Sequence, residues 1–282
     1  MMTRDGVPLW LKASAVCIGG LMASVFGFIM ICAFQAVLSA DFGTVLSDVW
    51  QPDAQQFGIL PMIWASALLS LSALVLGLPL SIGCACFMNG LGPKPVALTL
   101  GAVIRSMTAV PTVVYGFVSV FLLVPLVRRG LGGTGFCWLT ATLVLCLQIL
   151  PTMTLVLEST LKEALARTSL TAEALGLSKA QCMAYILLPT ARRAILSAVV
   201  LGFGRAVGDT LIPTMLAGNA VQYARSPLDA MRTLTAHIGL VTSTDVSGQA
   251  YNSLFIAGGL LLTFSAAASL AARLLRGKET RS

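Results

Sequence analysis

Six stretches of this chain are apolar for about 20 residues or more, which is the length that an α-helix needs to cross the hydrocarbon core of a bilayer. The stretches are residues 13–39, 60–88, 103–127, 136–157, 194–217 and 254–275. The composition agrees, since 57% of the residues are hydrophobic and only 10% are charged. The mean hydropathy is +0.89. We therefore predict an all-α integral membrane protein with six transmembrane helices.

The positions of lysine and arginine predict how these helices are oriented. With both termini on one side, the segments 1–12, 89–102, 158–193 and 276–282, together with two helix-edge residues, hold thirteen of these basic residues. The opposite segments, 40–59, 128–135 and 218–253, hold four. Because basic residues accumulate on the cytoplasmic side, we predict a multi-pass protein of the cytoplasmic (inner) membrane with both termini in the cytoplasm.

This orientation divides the chain into a cytoplasmic N-terminus (1–12), a transmembrane domain (13–275) with a long cytoplasmic loop (158–193), and a cytoplasmic tail (276–282). The first stretch is longer than the core of a signal peptide, so we expect it to be retained as a helix. The net charge of +7 comes from membrane edges, which indicates contact with lipid and no nucleic-acid binding.

Metal and nucleotide sites are not indicated. The seven cysteines lie mostly within apolar stretches, where small packing or lipid-facing roles are expected, and we predict no metal site. The segment 128–135 is rich in glycine but lacks the Lys-Ser/Thr ending of a P-loop, so we predict no nucleotide site there.

The loop 158–193 is longer than a connection between adjacent helices requires. Ala, Leu, Glu and Lys dominate it, and Gly176 and Pro189 interrupt it, which predicts two short helices with a break near Gly176. Such an element fits a groove on a partner protein, and it equally fits an interfacial helix on lipid headgroups. The side chains that it would present are Leu175, Leu177 and Met183 beside Ser178 and Lys179.

Two charged residues, Arg205 and Asp209, lie in the fifth apolar stretch, where one charge at mid-bilayer costs about 2.5 to 3.5 kcal/mol. They are four residues apart and would share a helix face, which allows a neutralising pair. Gly204 and Gly208 have the same spacing and would let another helix approach closely. The pair is either an ion pair that locks helix packing or a polar step for an anion, in which Asp209 holds the Arg205 guanidinium or competes for it.

Two prolines predict irregular backbone within the spans. Pro111 in the third stretch and Pro213 in the fifth should each kink a helix, because proline removes a backbone hydrogen bond. Thr108 and Thr112 are placed to satisfy the freed groups near Pro111. A packing kink and a place on a transport path are both compatible with Pro111.

The loop resembles the EAA loop of permease subunits of ABC importers. Gly176, nine residues, Ile186, one residue and then Leu188-Pro189 match the G-x9-I-x-L-P core of that loop. In that family the loop forms a coupling helix that docks on the ATPase subunit, and the resemblance implies this role here. The implied coupling residues are Glu173, Ala174, Leu175, Gly176, Leu177, Ser178, Ile186 and Pro189. Leu170 stands where the family carries an opening Glu, and Glu173 lies near the same helix face.

Further segments resemble the phosphate permeases among these importers. GRAVGDT followed by MLAGN is similar to their signature G-R-A-x-G-E-T…M-x-x-G-N, and AVPTVVYG is similar to their G-[IV]-P-S-[IV]-V-Y-G motif. WQPDAQQFGILPMI, RTLTAHI and YNSLFIAGGLLL are similar to the segment before the second span, to an outer loop and to the last helix. The resemblance covers roughly residues 49–275 and is greater to the C-type subunit than to the A-type.

The resemblance implies the type I ABC importer permease fold and a subunit that moves inorganic phosphate inward. It also implies three kinds of partner: a second, paralogous permease, two ATPase subunits inside and an extracytoplasmic phosphate-binding protein. ATP and Mg would be bound by the ATPase, because this chain has no Walker A motif and is not expected to be an enzyme. The substrate path would contain Arg205, Asp209, Thr210 and Arg105.

Three positions depart from the phosphate permeases. Asp209 replaces Glu, Thr112 replaces Ser, and Arg105 lies where an acidic residue is common. Arg105 would either add a cationic step for an anion or extend to the headgroups.

Three other functions compete with phosphate transport. Another oxyanion, such as molybdate, tungstate or sulfate, is the alternative substrate. A non-transporting scaffold would not need the charged pair in the fifth stretch. A serine-type intramembrane enzyme is disfavoured because the only histidine, His237, lies outside the apolar stretches.

Overall fold

The computed structural model describes residues 8–39, 47–51, 54, 56–244 and 249–276. Most residues of the two predicted terminal segments therefore lie outside the described residues; these segments are 1–12 and 276–282. Two short strands, β1 (Trp50–Gln51) and β2 (Gln56–Phe57), form an antiparallel pair. The helices, in chain order, are α1 (Leu9–Ser39), α2 (Leu60–Cys86), α3 (Lys94–Met107), α4 (Thr112–Leu131), α5 (Trp138–Ala174), α6 (Lys179–Thr190), α7 (Arg192–Gly208), α8 (Leu211–Leu216), α9 (Leu234–Thr244) and α10 (Gln249–Arg276).

The described chain confirms the all-α fold. Four of its helices, α1, α2, α4 and α5, are each long and apolar enough to cross a membrane. Helices α6 and α7 meet this criterion together, as one span bent by 68°. The predicted sixth span falls in α10, where the described apolar stretch is Ser253–Ala267. By length and composition, the described residues thus support four or five spans out of the six predicted.

Helix α5 is the centre of the bundle. Helices α2 and α7 pack against it, α10 packs on α7, and α1 lies at the periphery against α10. The largest fully buried side chains of α5 recur every four residues and so form one stripe: Leu145, Ile149, Met153, Leu157 and Leu161. Because lipid is as apolar as these side chains, close packing holds the helices together more than exclusion from water does.

The third predicted span is two helices and not one kinked helix. Helix α3 ends at Met107, and α4 begins at Thr112 after Pro111, whose extended backbone cannot continue a helix. The Thr108 hydroxyl donates to the Arg105 carbonyl at 2.7 Å, so it satisfies a carbonyl at the end of α3 as expected. The Tyr115 hydroxyl donates to the Met107 carbonyl at 3.0 Å and thereby ties the two helices together across the break.

The fourth predicted span continues far beyond residue 157. Helix α5 has 37 residues, so the first half of the loop 158–193 is a direct extension of a transmembrane helix. The break near Gly176 is confirmed. Gly176 has φ +70°, and the Leu177 N–H donates to the Ala172 carbonyl at 3.0 Å, which is the Schellman ending that favours glycine. The second half is α6, which begins with a capping box between Ser178 and Gln181.

The segment 225–229 closes the N-terminal end of α5, opposite the end that carries α6. The carbonyls of Asp229 and Pro227 accept hydrogen bonds from the first backbone N–H groups of α5, at 2.9 and 2.8 Å. The Asp229 carboxylate in turn accepts from the backbone N–H groups of Ser226 and Arg225, both at 2.8 Å. These two bonds favour the charged form and lower the pKa of Asp229.

The lowered pKa of Asp229 makes a prediction about acid stability. A carboxylate with a depressed folded pKa stabilises the protein above its unfolded value of about 3.9, and this contribution is lost as pH falls through the folded pKa. Asp229→Asn is therefore expected to lower the Tm of the detergent-solubilised protein at pH 7 more than at the lowest accessible pH. Thermal unfolding at several pH values measures this, and a Tm difference that does not change with pH contradicts it.

Candidate functional site

Asp209 lies at a break between two helices. Helix α7 ends at Gly208, and Asp209 has extended backbone (φ −74°, ψ 128°) before α8 begins at Leu211. One carboxylate oxygen of Asp209 accepts from the Ile212 N–H at 2.9 Å, and the other accepts from the Gln148 Nε2 at 2.7 Å. The Asp209 carbonyl accepts from the Thr235 hydroxyl at 2.7 Å. Asp209 is only 9% exposed, and its hydrogen bonds come from neutral groups.

The expected pair of Arg205 with Asp209 is not formed. The prediction that the two residues share one helix face was wrong, because the helix that carries Arg205 ends one residue before Asp209. Within the described residues, Arg205 makes no ion pair with a carboxylate, and it lies exposed on α7. The Arg205 charge still interacts electrostatically with Asp209 and with Tyr115 on α4. An unpaired guanidinium therefore lies beside the breaks in both discontinuous helices.

Gln148 is a site residue that the sequence reasoning missed. It projects from the middle of α5, is 4% exposed, and donates to Asp209 while its Nε2 lies 3.4 Å from the Thr112 hydroxyl oxygen. The available signal was a lone amide in an otherwise apolar stretch, since an uncharged polar side chain in a span needs a partner.

Glycine allows the two broken helices to touch. A Cβ on Gly116 of α4 would lie 2.6 Å from the Met215 sulfur of α8. The AVPTVVYG and MLAGN segments therefore meet at this contact. On α7 it is Gly202 and not the predicted Gly204 and Gly208 that permits close approach, because its Cβ would lie 2.5 Å from the Met153 sulfur of α5. Within this chain nothing described lies within 4 Å of a Cβ on either Gly204 or Gly208.

Pro213 and Thr210 belong to the same junction. Pro213 is buried within α8. The helix was expected to kink at Pro213, but it is interrupted earlier in the chain, at Asp209. The Thr210 carbonyl accepts from the Thr214 hydroxyl at 2.6 Å. Beyond α8, Gly218 and Asn219 both have positive φ, and the Arg232 Nε donates to the Asn219 carbonyl at 2.9 Å. The glycine and asparagine of MLAGN thus form a turn.

Arg105 makes a contact that the sequence did not predict. Its guanidinium lies 3.3 Å from the Glu158 carboxylate and forms an ion pair between α3 and α5. Neighbouring Asn89, in the π-helical turn after α2, donates to the Glu158 carbonyl at 3.3 Å. Arg105 therefore ties α3 to α5 at the end of the bundle that carries α6.

The residues predicted to couple to the ATPase lie at that same end. The exposed apolar side chains are Leu170 (81%), Leu175 (70%) and Tyr185 (75%). Met183, which was predicted to be presented, is instead buried, and Leu177 and Ile186 pack partly against the core. Glu173, Ala174, Ser178 and Pro189 are exposed, and Glu173 lies one turn from Leu170 on the same helix as expected. We call Leu170, Glu173, Leu175 and Tyr185 the docking surface.

Known proteins with similar sequences are membrane components of transport systems. The model of the family described as "Binding-protein-dependent transport system inner membrane component" matches residues 77–278. The phosphate transport system permease protein PstC of Mesorhizobium japonicum is 27% identical over 267 residues, which cover 88% of this chain and 80% of that protein. The protein of Bacillus subtilis named "Probable ABC transporter permease protein YqgH" is 32% identical over 216 residues, or 76% and 70% of the two chains.

Two solved transporters share the fold. A chain of the MetNI methionine ABC transporter in an inward-facing conformation superposes with a TM-score of 0.61 at 16% identity, covering 81% of this chain and 99% of that one. A chain of a bacterial alginate ABC transporter superposes with a TM-score of 0.61 at 15% identity, covering 97% of each. At these identities the likeness concerns the fold alone, which is that of a type I importer permease.

Proposed function

We propose that this chain, which belongs to the family of inner membrane components of binding-protein-dependent transport systems, is the permease subunit of an ATP-driven importer of inorganic phosphate. The observation that carries the proposal is Arg205, an exposed guanidinium without an ion-pair partner among the described residues, beside the breaks in two helices. The names of curated relatives, such as PstC of Mesorhizobium japonicum, support phosphate as the substrate.

The junction of broken helices suits an anion. Discontinuous helices are where many transporters bind their substrates, because freed backbone groups and helix ends face a cavity there. Arg205 would meet the phosphate with a planar, permanently charged group of several donors. Asp209 is held by Gln148 and the Ile212 N–H, so it does not neutralise that charge at contact distance.

The remaining partners follow from the two ends of the molecule. The docking surface would contact one of two ATPase subunits in the cytoplasm, and ATP and Mg would bind there and not to this chain. A second, paralogous permease would complete the path, and a phosphate-binding protein would deliver phosphate from outside. In this orientation both termini are cytoplasmic, which agrees with the excess of basic residues on that side.

Transport would proceed by alternating access. Docking of the loaded binding protein and closure of the ATPase pair would rock the two permeases against each other, with the α5–α6 segment transmitting the motion. The continuity of α5 from the core to Ala174 supports this, because one helix joins the docking surface to the residue that holds Asp209.

Reconstitution tests the function. The permease is purified together with a second permease and an ATPase of the same transport system, and the complex is placed in vesicles with ATP inside. The binding protein of that system and labelled phosphate are added outside. We expect ATP-dependent phosphate uptake that excess sulfate, molybdate and tungstate leave unchanged. Uptake of one of those oxyanions without uptake of phosphate contradicts the proposal.

Gly176 makes a prediction about docking. Its φ of +70° strains a branched side chain by about 1 to 2 kcal/mol, whereas asparagine tolerates this conformation. A Cβ there would meet no described atom within 4 Å, so within this chain the strain is the expected effect. We expect Gly176→Val to weaken co-purification of the ATPase about fivefold or more by shifting α6, and Gly176→Asn to retain it. Equal retention by both variants would show that the αL ending does not position α6.

A further inference from the structure

We propose that Gln148 is a positioning residue for transport, which holds Asp209 away from Arg205 and so keeps the guanidinium available to the anion. The inference rests on the proposed function. Gln148 lies on the central helix α5 and is almost completely buried, with its Nε2 2.7 Å from the Asp209 carboxylate. Its position is fixed by the packing around it, because the neighbouring Leu145, Ile149 and Met153 are fully buried.

The two residues that Gln148 approaches both lie at helix breaks. Asp209 separates α7 from α8, and Thr112 is the first residue of α4 after the break at Pro111. The Gln148 Nε2 lies within 3.4 Å of an oxygen on each. One amide on the central helix therefore contacts both discontinuous helices where their backbones are irregular.

The charge balance gives this contact a specific consequence. A buried carboxylate is costly unless it is hydrogen-bonded. Each carboxylate oxygen of Asp209 accepts one hydrogen bond, and Gln148 donates one of the two. Without that donor, the Asp209 oxygen would turn to Arg205, which already interacts with it electrostatically. An ion pair would form, and the substrate would then compete with Asp209 for the guanidinium.

The other half of the Gln148 amide, its oxygen, makes no contact that the site uses. The Gln148 Oε1 is buried and has no hydrogen-bond partner among the described residues. An unsatisfied buried polar atom costs about 1 to 3 kcal/mol, which an apolar side chain of the same shape avoids. An apolar side chain would therefore fill this space at a lower cost in stability. The Nε2 donor is the part of Gln148 that contacts Asp209 and Thr112.

A double-mutant cycle in the reconstituted importer tests this. Gln148→Met keeps the shape of the side chain and removes the donor. We expect maximal phosphate uptake to fall at least tenfold, while the half-saturating concentration of loaded binding protein stays unchanged. In the Asp209→Asn background, where no carboxylate can pair with Arg205, Gln148→Met is expected to change uptake less than twofold.

The matched control is Thr154→Val on the same helix, because the Thr154 hydroxyl is also fully buried and without a partner among the described residues. We expect this variant to transport normally. Gln148→Leu serves in place of Gln148→Met if the latter does not assemble. Uptake that falls equally in the Asp209 and Asp209→Asn backgrounds, or does not fall at all, overturns the inference. Absence of phosphate uptake by the wild-type complex overturns instead the proposed function.

Discussion

An importer with Arg205→Gln is expected to assemble with its partners and to transport no measurable phosphate. Arg205 is exposed in this chain and makes no ion pair within the described residues, so its removal breaks no ion pair, and Asp209 keeps its hydrogen bonds to Gln148 and Ile212. An anion that leaves water needs a compensating cation, and a hydrogen bond to a charged group contributes about 1.5 to 3 kcal/mol in ordinary settings. The effect is larger in an apolar path, where the dielectric constant is low.

The measurement is labelled phosphate uptake into vesicles, with assembly of the complex verified by size-exclusion chromatography. Arg205→Lys keeps the charge but not the planar fork, and it should retain part of the uptake. Arg167→Gln is the control for a lost surface charge, because Arg167 pairs with Glu163 at 2.6 Å on the far end of α5, and it should transport normally. Normal uptake by Arg205→Gln would show that Arg205 has no role on the substrate path.

The second large effect is expected from Gly218→Ala, which should prevent the permease from folding. Gly218 has φ +86°, and a Cβ there would lie 2.7 Å from the Phe136 carbonyl oxygen and 2.6 Å from the Ala230 Cβ. The first of these contacts is with backbone, which cannot move aside as a side chain can. The Gly218 turn also places Asn219, whose carbonyl accepts from Arg232. A displaced turn would therefore release the segment that follows α8.

Gly132→Ala is a close control for this prediction. Gly132 has φ +87°, almost the same as Gly218, but no described atom lies within 4 Å of its Cβ position. Gly132→Ala should therefore lower the free energy of unfolding only by the strain of the left-handed conformation, about 1 to 2 kcal/mol. Yield and Tm of the detergent-solubilised protein distinguish the two variants. A Gly218→Ala protein as stable as Gly132→Ala would show that the close approach is not rigid.

The sequence predicted those features that depend on composition and on chemistry local to the chain. The membrane class, the helical fold and the break near Gly176 all follow from apolar length or from the conformational freedom of glycine. The sequence signatures were found in the right places, because their glycines and prolines mark backbone conformations that few other residues adopt. The AVPTVVYG motif of α4 and the MLAGN motif at the end of α8 meet where Gly116 contacts Met215.

The errors share one cause, which is that apolar length does not show where a helix breaks or which face it buries. Arg205 and Asp209 were placed on one helix because their spacing fits a helix, and hydropathy does not register the extended backbone at Asp209. Met183 was expected on the surface because an isolated amphipathic helix can turn either face outward. Gly204 and Gly208 were predicted to permit close approach, and Gly202 was missed, because spacing alone does not show which glycine meets α5.

By itself, then, the sequence determined that this chain is a helical membrane protein of the importer type. A bilayer admits only helices and closed barrels, and apolar stretches of about 20 residues fit the helix, while the motifs indicate the importer family. Only the tertiary structure decided the chemistry of the fifth stretch. It separated Asp209 from Arg205, brought Gln148 from another helix to the Asp209 carboxylate, and left Arg205 without an ion pair in the described chain. The reason is physical: a buried carboxylate takes the nearest well-placed donor, and which donor is nearest depends on how distant segments pack.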